Sequence, residues 1–278
     1  MTITGIAGSI GSGKSFKQLH YALEQVDKKK KKLVTNFHLN IRQLRIYAGL
    51  KKYHWLGWLC DTGQITILDG CTNLSDIVSF HDSICCLDEA GIFLNARDFS
   101  KTPKKLLMDL CQSRKTGSDL IWCAQFESQV DAQFRMLTQF WIHCGGVSAY
   151  DRTMRRPKLV CKSYHYFDAN SYQSWLSDVK ARNSYFKTRF QYAYKSEGGF
   201  LTKADKQLFK CFDSFTRLEL QSGYASNSLS REFCTLPSDY YFNLLGSDYS
   251  PDRDPLRGSI RPRRLKKIKP RFQELITG

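Results

Sequence analysis

A chain of 278 residues has room for one sizeable core and one appendage, not for a third unit. Hydrophobic residues at 42% and aromatics at 13% can fill such a core, which excludes wholesale disorder. The 42 Lys and Arg against 26 Asp and Glu leave a formal charge of +16, which favours a polyanionic partner, nucleic acid first, over a merely basic solvated surface.

Ten cysteines occur without a CxxC pair or a His at zinc-ligand spacing, so a zinc site is not expected. Cys85, Cys86 and Cys123 stand inside apolar runs, where a thiol acts as a small buried hydrophobe, and a reducing, cytoplasmic compartment follows. Met1 to Ile10 carries no basic region ahead of an apolar stretch, so no secretory leader is expected. The longest uncharged run, Met136 to Tyr150, falls short of the roughly 20 apolar residues a spanning helix needs.

Along the chain, Thr2 to Ala7 is a short apolar run that leads straight into a glycine-rich loop, after which Phe16, Leu19, Leu23 and Val26 repeat at helical spacing. Lys28 to Lys32 read as a solvated connection at the helix C-terminus, where cations suit the dipole, with DNA contact as the lesser alternative. Leu33 to Phe37, Ile65 to Leu68, Ile84 to Leu87, Leu120 to Ala124 and Phe140 to His143 are further strand-like runs. Between them, Pro103 opens a helix with Leu106, Leu107, Leu110 and Cys111 on one face, and Val130, Phe134 and Leu137 mark another. Such alternation predicts an α/β fold with a mainly parallel sheet flanked by helices, over residues 1–168. Beyond Asp168 the pattern decays into Tyr- and Ser-rich segments of unassigned fold, an accessory region over 169–256. Residues 257–278 form a basic arm, kept extended by Pro262 and Pro270.

Gly8, Ser9, Ile10, Gly11, Ser12, Gly13, Lys14 and Ser15 satisfy GxxxxGK[ST] between a strand and a helix. The glycines let consecutive backbone N–H groups and the helix N-terminus close around phosphates. Lys14 is then placed for the β- and γ-phosphates of ATP, and the Ser15 hydroxyl for Mg²⁺. The run Ile84 to Leu87 ends in Asp88, a fitting second Mg²⁺ ligand, and Glu89, a general base for the attacking water. The plainer alternative is an acidic pair opening a helix. Leu120 to Ala124 ends in Gln125, an amide that either senses the γ-phosphate or attacking water or satisfies a loop backbone.

The order GSIGSGKS, Val34-Thr35-Asn36, LDEAGIFLNAR, QSRKTGSDLIWCAQ and VDAQFRMLTQFW resembles the zonular occludens toxin-like ATPases of filamentous phages, within the FtsK-HerA division of DNA-pumping P-loop proteins. The resemblance covers roughly residues 1–168. It implies a RecA-like core driving viral DNA translocation, packaging or virion assembly and export, with Gln125 as sensor amide and Arg135 or Arg114 as arginine finger. It also implies a homo-oligomeric ring and DNA, in this case the viral genome, together with virion or assembly proteins as partners. The location implied is the host cytoplasm, with peripheral membrane association open. Many relatives carry a transmembrane helix after the ATPase domain; this sequence shows none, which leaves the soluble packaging ATPases of tailless viruses as an equal parallel.

Three rivals were weighed. Asp88 to Gly91 matches DxxG and Thr202 to Asp205 matches TKxD, as in a GTPase, but the second fragment does not end a buried strand. A DNA-binding assembly protein that keeps nucleotide only as a ligand would have no need of Glu89. A small-molecule kinase lacks a recognisable acceptor lid.

Overall fold

The computed structural model describes residues 2–68, 80–96, 116–151 and 156–212. The helix expected after Pro103, Arg114, most of the accessory region and the basic arm lie outside them.

Six strands run parallel: β1 (Ile3–Gly8), β2 (Lys32–Thr35), β3 (Ile65–Ile67), β4 (Ser83–Leu87), β5 (Asp119–Ala124) and β6 (Phe140–Cys144), in the spatial order β3-β2-β4-β5-β1-β6. Every residue of β1, β4 and β5 is buried, as strands covered on both faces must be. The two-residue period of the strands sorts their side chains between two cores. Ile84, Cys86, Ile121, Cys123 and Ile142 face α1 (Lys14–Lys29), with α2 (Ile41–Lys51) and α3 (His54–Thr62) on the same side. Cys85, Leu87, Trp122 and Trp141 face away, toward α4 (Ala90–Phe93) and α5 (Ala132–Met136). Gly5 lies between the two tryptophans: a Cβ there would stand 2.8 Å from Trp122 and 2.9 Å from Trp141, so the bare backbone is what lets both rings close over β1.

Next to β6 the sheet turns antiparallel. β7 (Val147–Asp151) continues beyond β6 past Gly145 and Gly146, and both run antiparallel to the long strand β8 (Arg156–Asp168). Together they make one extended hairpin standing beside β1. After Asp168, short helices α6 (Ala169–Ser177), α7 (Val179–Arg182) and α8 (Tyr185–Lys187) and a π-turn (Thr188–Tyr192) lead to β9 (Lys195–Phe200) and α9 (Lys203–Leu208). Each of α6 to α8 starts on a side-chain cap: Asp168 accepts from Ser171 N, Asp178 from Ala181 N and Ser184 from Lys187 N. β9 pairs with β8, so structure beyond residue 168 joins the same sheet.

The sequence reading needs two local corrections. Lys28 to Lys32 are not simply solvated, because Lys29 and Lys31 each place Nζ 2.9 Å from Asp119 Oδ2 at the start of β5. Burial alone would raise the Asp119 carboxyl, but these two lysines outweigh it and hold it below the usual range. The helix marked by Val130, Phe134 and Leu137 is shorter than that pattern, since Asp131 caps it at Gln133 N and Phe134 N and leaves Val130 outside. Among the described residues no helix is long and apolar enough to cross a membrane.

Candidate functional site

Strand register builds the site. Ala7 of β1 lies beside Ala124 of β5, and Leu87 of β4 beside Trp122. Carrying each strand forward brings Gly8, Gln125, Asp88 and Glu89 to one carboxyl edge of the parallel sheet, where open α/β sheets form their ligand crevices. A contact confirms the alignment, because the Cys123 thiol donates to Asp88 Oδ1.

The loop from Gly8 to Ser15 owes its shape to its glycines. Gly11 and Gly13 take φ of 75° and 88°, in the left-handed region that L side chains avoid. Gly13 is also the cap of α1, with no side-chain bond to the helix and no acid in its first turn, so nothing competes with an incoming anion for the first N–H groups. Ser12 N bonds Ser9 O at 3.2 Å and Lys17 N bonds Gly13 O at 2.9 Å, closing the loop onto the helix. Lys14 is 8% exposed and its ammonium donates to Ser9 O at 3.0 Å, folded back on its own loop. The Ser12 hydroxyl is buried and has no hydrogen-bond partner among the described residues. Ser15 is half-buried at the first turn of α1, and Ile10 is 77% exposed. A tight glycine cradle with an orphaned hydroxyl and a buried ammonium fits an anionic phosphate chain.

The hairpin braces this loop, a feature that local sequence did not signal. Ser148 donates to Gly11 O, and a Cβ on Gly13 would lie 2.8 Å from Leu159. A Cβ on Gly146 would stand 2.5 Å from Ser12 O, so the glycine there is what allows the hairpin to pass this close.

The acidic pair is held from β2. Asn36 is fully buried at the end of that strand; its Oδ1 accepts from Asp88 N at 2.7 Å and its Nδ2 donates to Asp88 O at 3.0 Å. Asp88 Oδ1 also accepts from Glu89 N at 2.9 Å. Glu89 takes φ 50° and ψ 48°, a left-handed conformation that costs a non-glycine residue about 1–2 kcal/mol. Strain of this kind persists where the surroundings over-determine it. Burial, and then the charge of Asp88, push the Glu89 carboxyl upward, while the charge of Lys14 opposes them. A carboxylate so raised is a better proton acceptor than an ordinary Glu.

The described residues contain no group of three or more His, Cys, Asp or Glu able to hold a metal alone. Mg²⁺ requires no such cage, because it binds through one or two protein oxygens, substrate phosphates and water. The oxygens of Ser15 and Asp88 fit that requirement.

Arg135 is not with the others. Helix α5 packs through Phe134 on Trp122, on the sheet face opposite α1, and Arg135 Nε donates to Val130 O at 3.0 Å. The TKxD fragment is a helix start: Thr202 and Asp205 form a capping box on α9, and Asp205 pairs with Lys162. That removes its GTPase reading. Asn36 went unrecognised as a support for Asp88, since its role depends on strand order rather than on a local motif.

Asn36→Ala is expected to cost about 1–3 kcal/mol in unfolding free energy, the penalty for leaving the buried N–H and C=O of Asp88 unpaired. Turnover should fall while nucleotide affinity changes little. Urea unfolding and steady-state kinetics check this, and unchanged turnover would remove Asn36 from the support of the site.

A mostly parallel α/β sheet carrying GxxxxGKS at its carboxyl edge defines the P-loop NTPase class. The chain belongs to the zonular occludens toxin (Zot) family, whose model matches residues 2–153. Among solved structures it is similar to the N-terminal domain of zonular occludens toxin from Neisseria meningitidis, at 17% identity over 76% of this chain and 98% of that one, with a TM-score of 0.39. It is also similar to the genome packaging NTPase B204 from Sulfolobus turreted icosahedral virus 2 in complex with ATP-gammaS, at 14% identity over 61% and 93%, with a TM-score of 0.36. Curated proteins offer no match.

Proposed function

We propose that this chain is a Mg²⁺-dependent ATPase that drives viral DNA translocation in packaging, assembly or export. The observation that carries the reading is the register that gathers the Gly8–Ser15 loop, Asp88, Glu89 and Gln125 on one sheet edge. Loop N–H groups and Lys14 bind the triphosphate, and Ser15 and Asp88 hold the metal. When bound, Mg²⁺ neutralises charge that develops on the β- and γ-phosphates. Glu89 accepts the proton of the attacking water, and the Gln125 amide orients that water. Zot family membership supports the viral setting, and the formal charge of +16 supports DNA as partner. Residues 1–168 act as the motor, 169–256 as an accessory region and 257–278 as a basic arm, in the host cytoplasm. The deciding measurement is ATP hydrolysis by purified protein with and without DNA, with native mass to establish assembly; nucleotide binding without hydrolysis under every condition would favour the assembly-protein reading.

Because Arg135 lies away from its own chain's loop, it serves in trans across a ring. Arg135→Ala is expected to lower turnover of the assembled protein by about 10³-fold or more with nucleotide affinity nearly intact, as for an arginine finger. Mixing Arg135→Ala with Glu89→Gln subunits checks it, since some interfaces would then join an intact Glu89 to an intact Arg135. Absence of any rescue in confirmed mixed rings would remove the trans role, and Arg114 would be tested in its place.

A further inference from the structure

The outer side of the sheet, built by α7, α8, the π-turn and β9, leaves an unusual set of side chains in solvent. Phe186 is 70% exposed, Phe190 76%, Tyr194 62% and Phe200 80%. Single exposed apolar residues need no explanation, but four aromatic rings within one short stretch mark an interaction surface. Cations are interleaved with them: Lys180, Arg182, Lys187, Arg189 and Lys195 are all exposed, and the Arg189 guanidinium lies 5.6 Å from the centre of the Phe190 ring. The π-turn spans Thr188 to Tyr192, a local departure from α geometry that often accompanies functional sites. Gly198 and Gly199 on the neighbouring edge strand leave backbone open, and a Cβ on Gly199 would meet nothing within 4 Å.

The acids here are already engaged. Asp178 caps α7 and accepts from Tyr192. Glu197 pairs with Lys195 at 2.5 Å and with Lys17 at 3.2 Å. Burial alone would raise the Glu197 carboxyl, but hydrogen bonds from Lys195 and Tyr166 and the charge of Lys17 bring it to about 2. The surface therefore presents rings and positive charge together.

We propose that this face binds single-stranded nucleic acid, with bases stacked on Phe186, Phe190, Tyr194 and Phe200 and phosphates on Lys187, Arg189 and Lys195. Exposed rings beside cations suit unpaired bases, since stacking is sequence-tolerant and the cations follow the backbone. A duplex keeps its bases stacked internally and would use only the cations. A membrane-surface element would need a longer amphipathic helix than the four residues of α7 or the three of α8. A second copy docked about a two-fold axis would set this cationic surface against itself. The inference deepens the DNA-motor reading by giving the strand form and the surface, but its readout is binding and does not depend on hydrolysis. Lys195 also links the surface to the motor, because its partner Glu197 holds Lys17 on the helix that begins with Lys14.

The test uses the full chain with a fluorescein-labelled oligothymidine and a duplex of equal length, read by anisotropy across a salt series. Phe186→Ala with Phe190→Ala should weaken oligothymidine binding about 10- to 1000-fold, from roughly 1–3 kcal/mol for each unstacked base, and leave duplex binding and the basal ATPase rate unchanged. Lys187→Gln with Arg189→Gln should reduce the single-strand salt slope by about 1.4, at roughly 0.7 per phosphate. Should other basic segments dominate the affinity, photocrosslinking of 5-iodouracil-substituted oligothymidine to Phe186 or Phe190 reports the stacking directly. Unchanged oligothymidine affinity together with no crosslink to these rings would overturn the proposal. An equal loss for duplex would overturn base stacking. Loss of pelleting with phosphatidylserine vesicles, or of the oligomer in native mass, while oligothymidine binding stays intact, would instead assign the surface to a membrane or a second copy. A loss of ATPase with single-strand binding preserved would count against the motor reading alone.

Discussion

Lys14→Ala is expected to reduce ATP turnover by about 1000-fold and to weaken nucleotide binding, because the lysine is the one charged side chain of the phosphate loop. At 8% exposure its ammonium sits where water screens little, so its attraction for developing negative charge exceeds that of a surface lysine. Its recorded bond goes only to Ser9 O in the same loop. Removing it should therefore leave the sheet intact, and circular dichroism and unfolding midpoint should match wild type. Loss of turnover would then be a defect of chemistry rather than of folding. Wild-type turnover in the variant would sink the assignment of Gly8–Ser15 as the nucleotide loop.

Glu89→Gln should keep Mg·ATP binding and lose turnover by about 10²–10⁴-fold, the usual contribution of a positioned base. An amide of the same shape can hydrogen-bond the attacking water but cannot take its proton. The backbone should tolerate the change, since the left-handed turn at Glu89 is maintained by its neighbours: Asp88 is clamped by Asn36 on β2, and Ala90 is buried at the start of α4. The pH profile supplies an independent check. A base works only when deprotonated, and burial and Asp88 raise this carboxyl. Wild-type turnover should thus decline on acidification at a pH above that of an ordinary Glu, near 4.3, and the residual rate of Glu89→Gln should lack that acid limb. Equal losses of binding and turnover would make Glu89 a structural or metal-binding residue. A variant as fast as wild type would remove it from the mechanism.

What local sequence determined was the phosphate loop, the central strands and the order of the elements around them. Strands covered on both faces must be apolar along their length, so β1, β4 and β5 declare themselves in a single sequence, and the Gly-Lys-Ser loop requires the strand before it and the helix after it. The acids Asp88 and Glu89 were legible for the same reason, as polar residues ending an apolar run. Tertiary structure alone decided the rest. The strand KSEGGF at β9 has two glycines and no apolar alternation, and it is a strand only because β8 offers it a partner edge. Asn36 supports Asp88 because β2 happens to lie beside β4, and Lys29 and Lys31 hold Asp119 because α1 ends beneath β5. Ser148 and Gly146 brace the phosphate loop across a hairpin that β8 completes. Periodicity and motif are properties of neighbours along the chain. Which edges pair, and which side chains meet across them, depends on contacts far apart in sequence, where no local pattern carries the information.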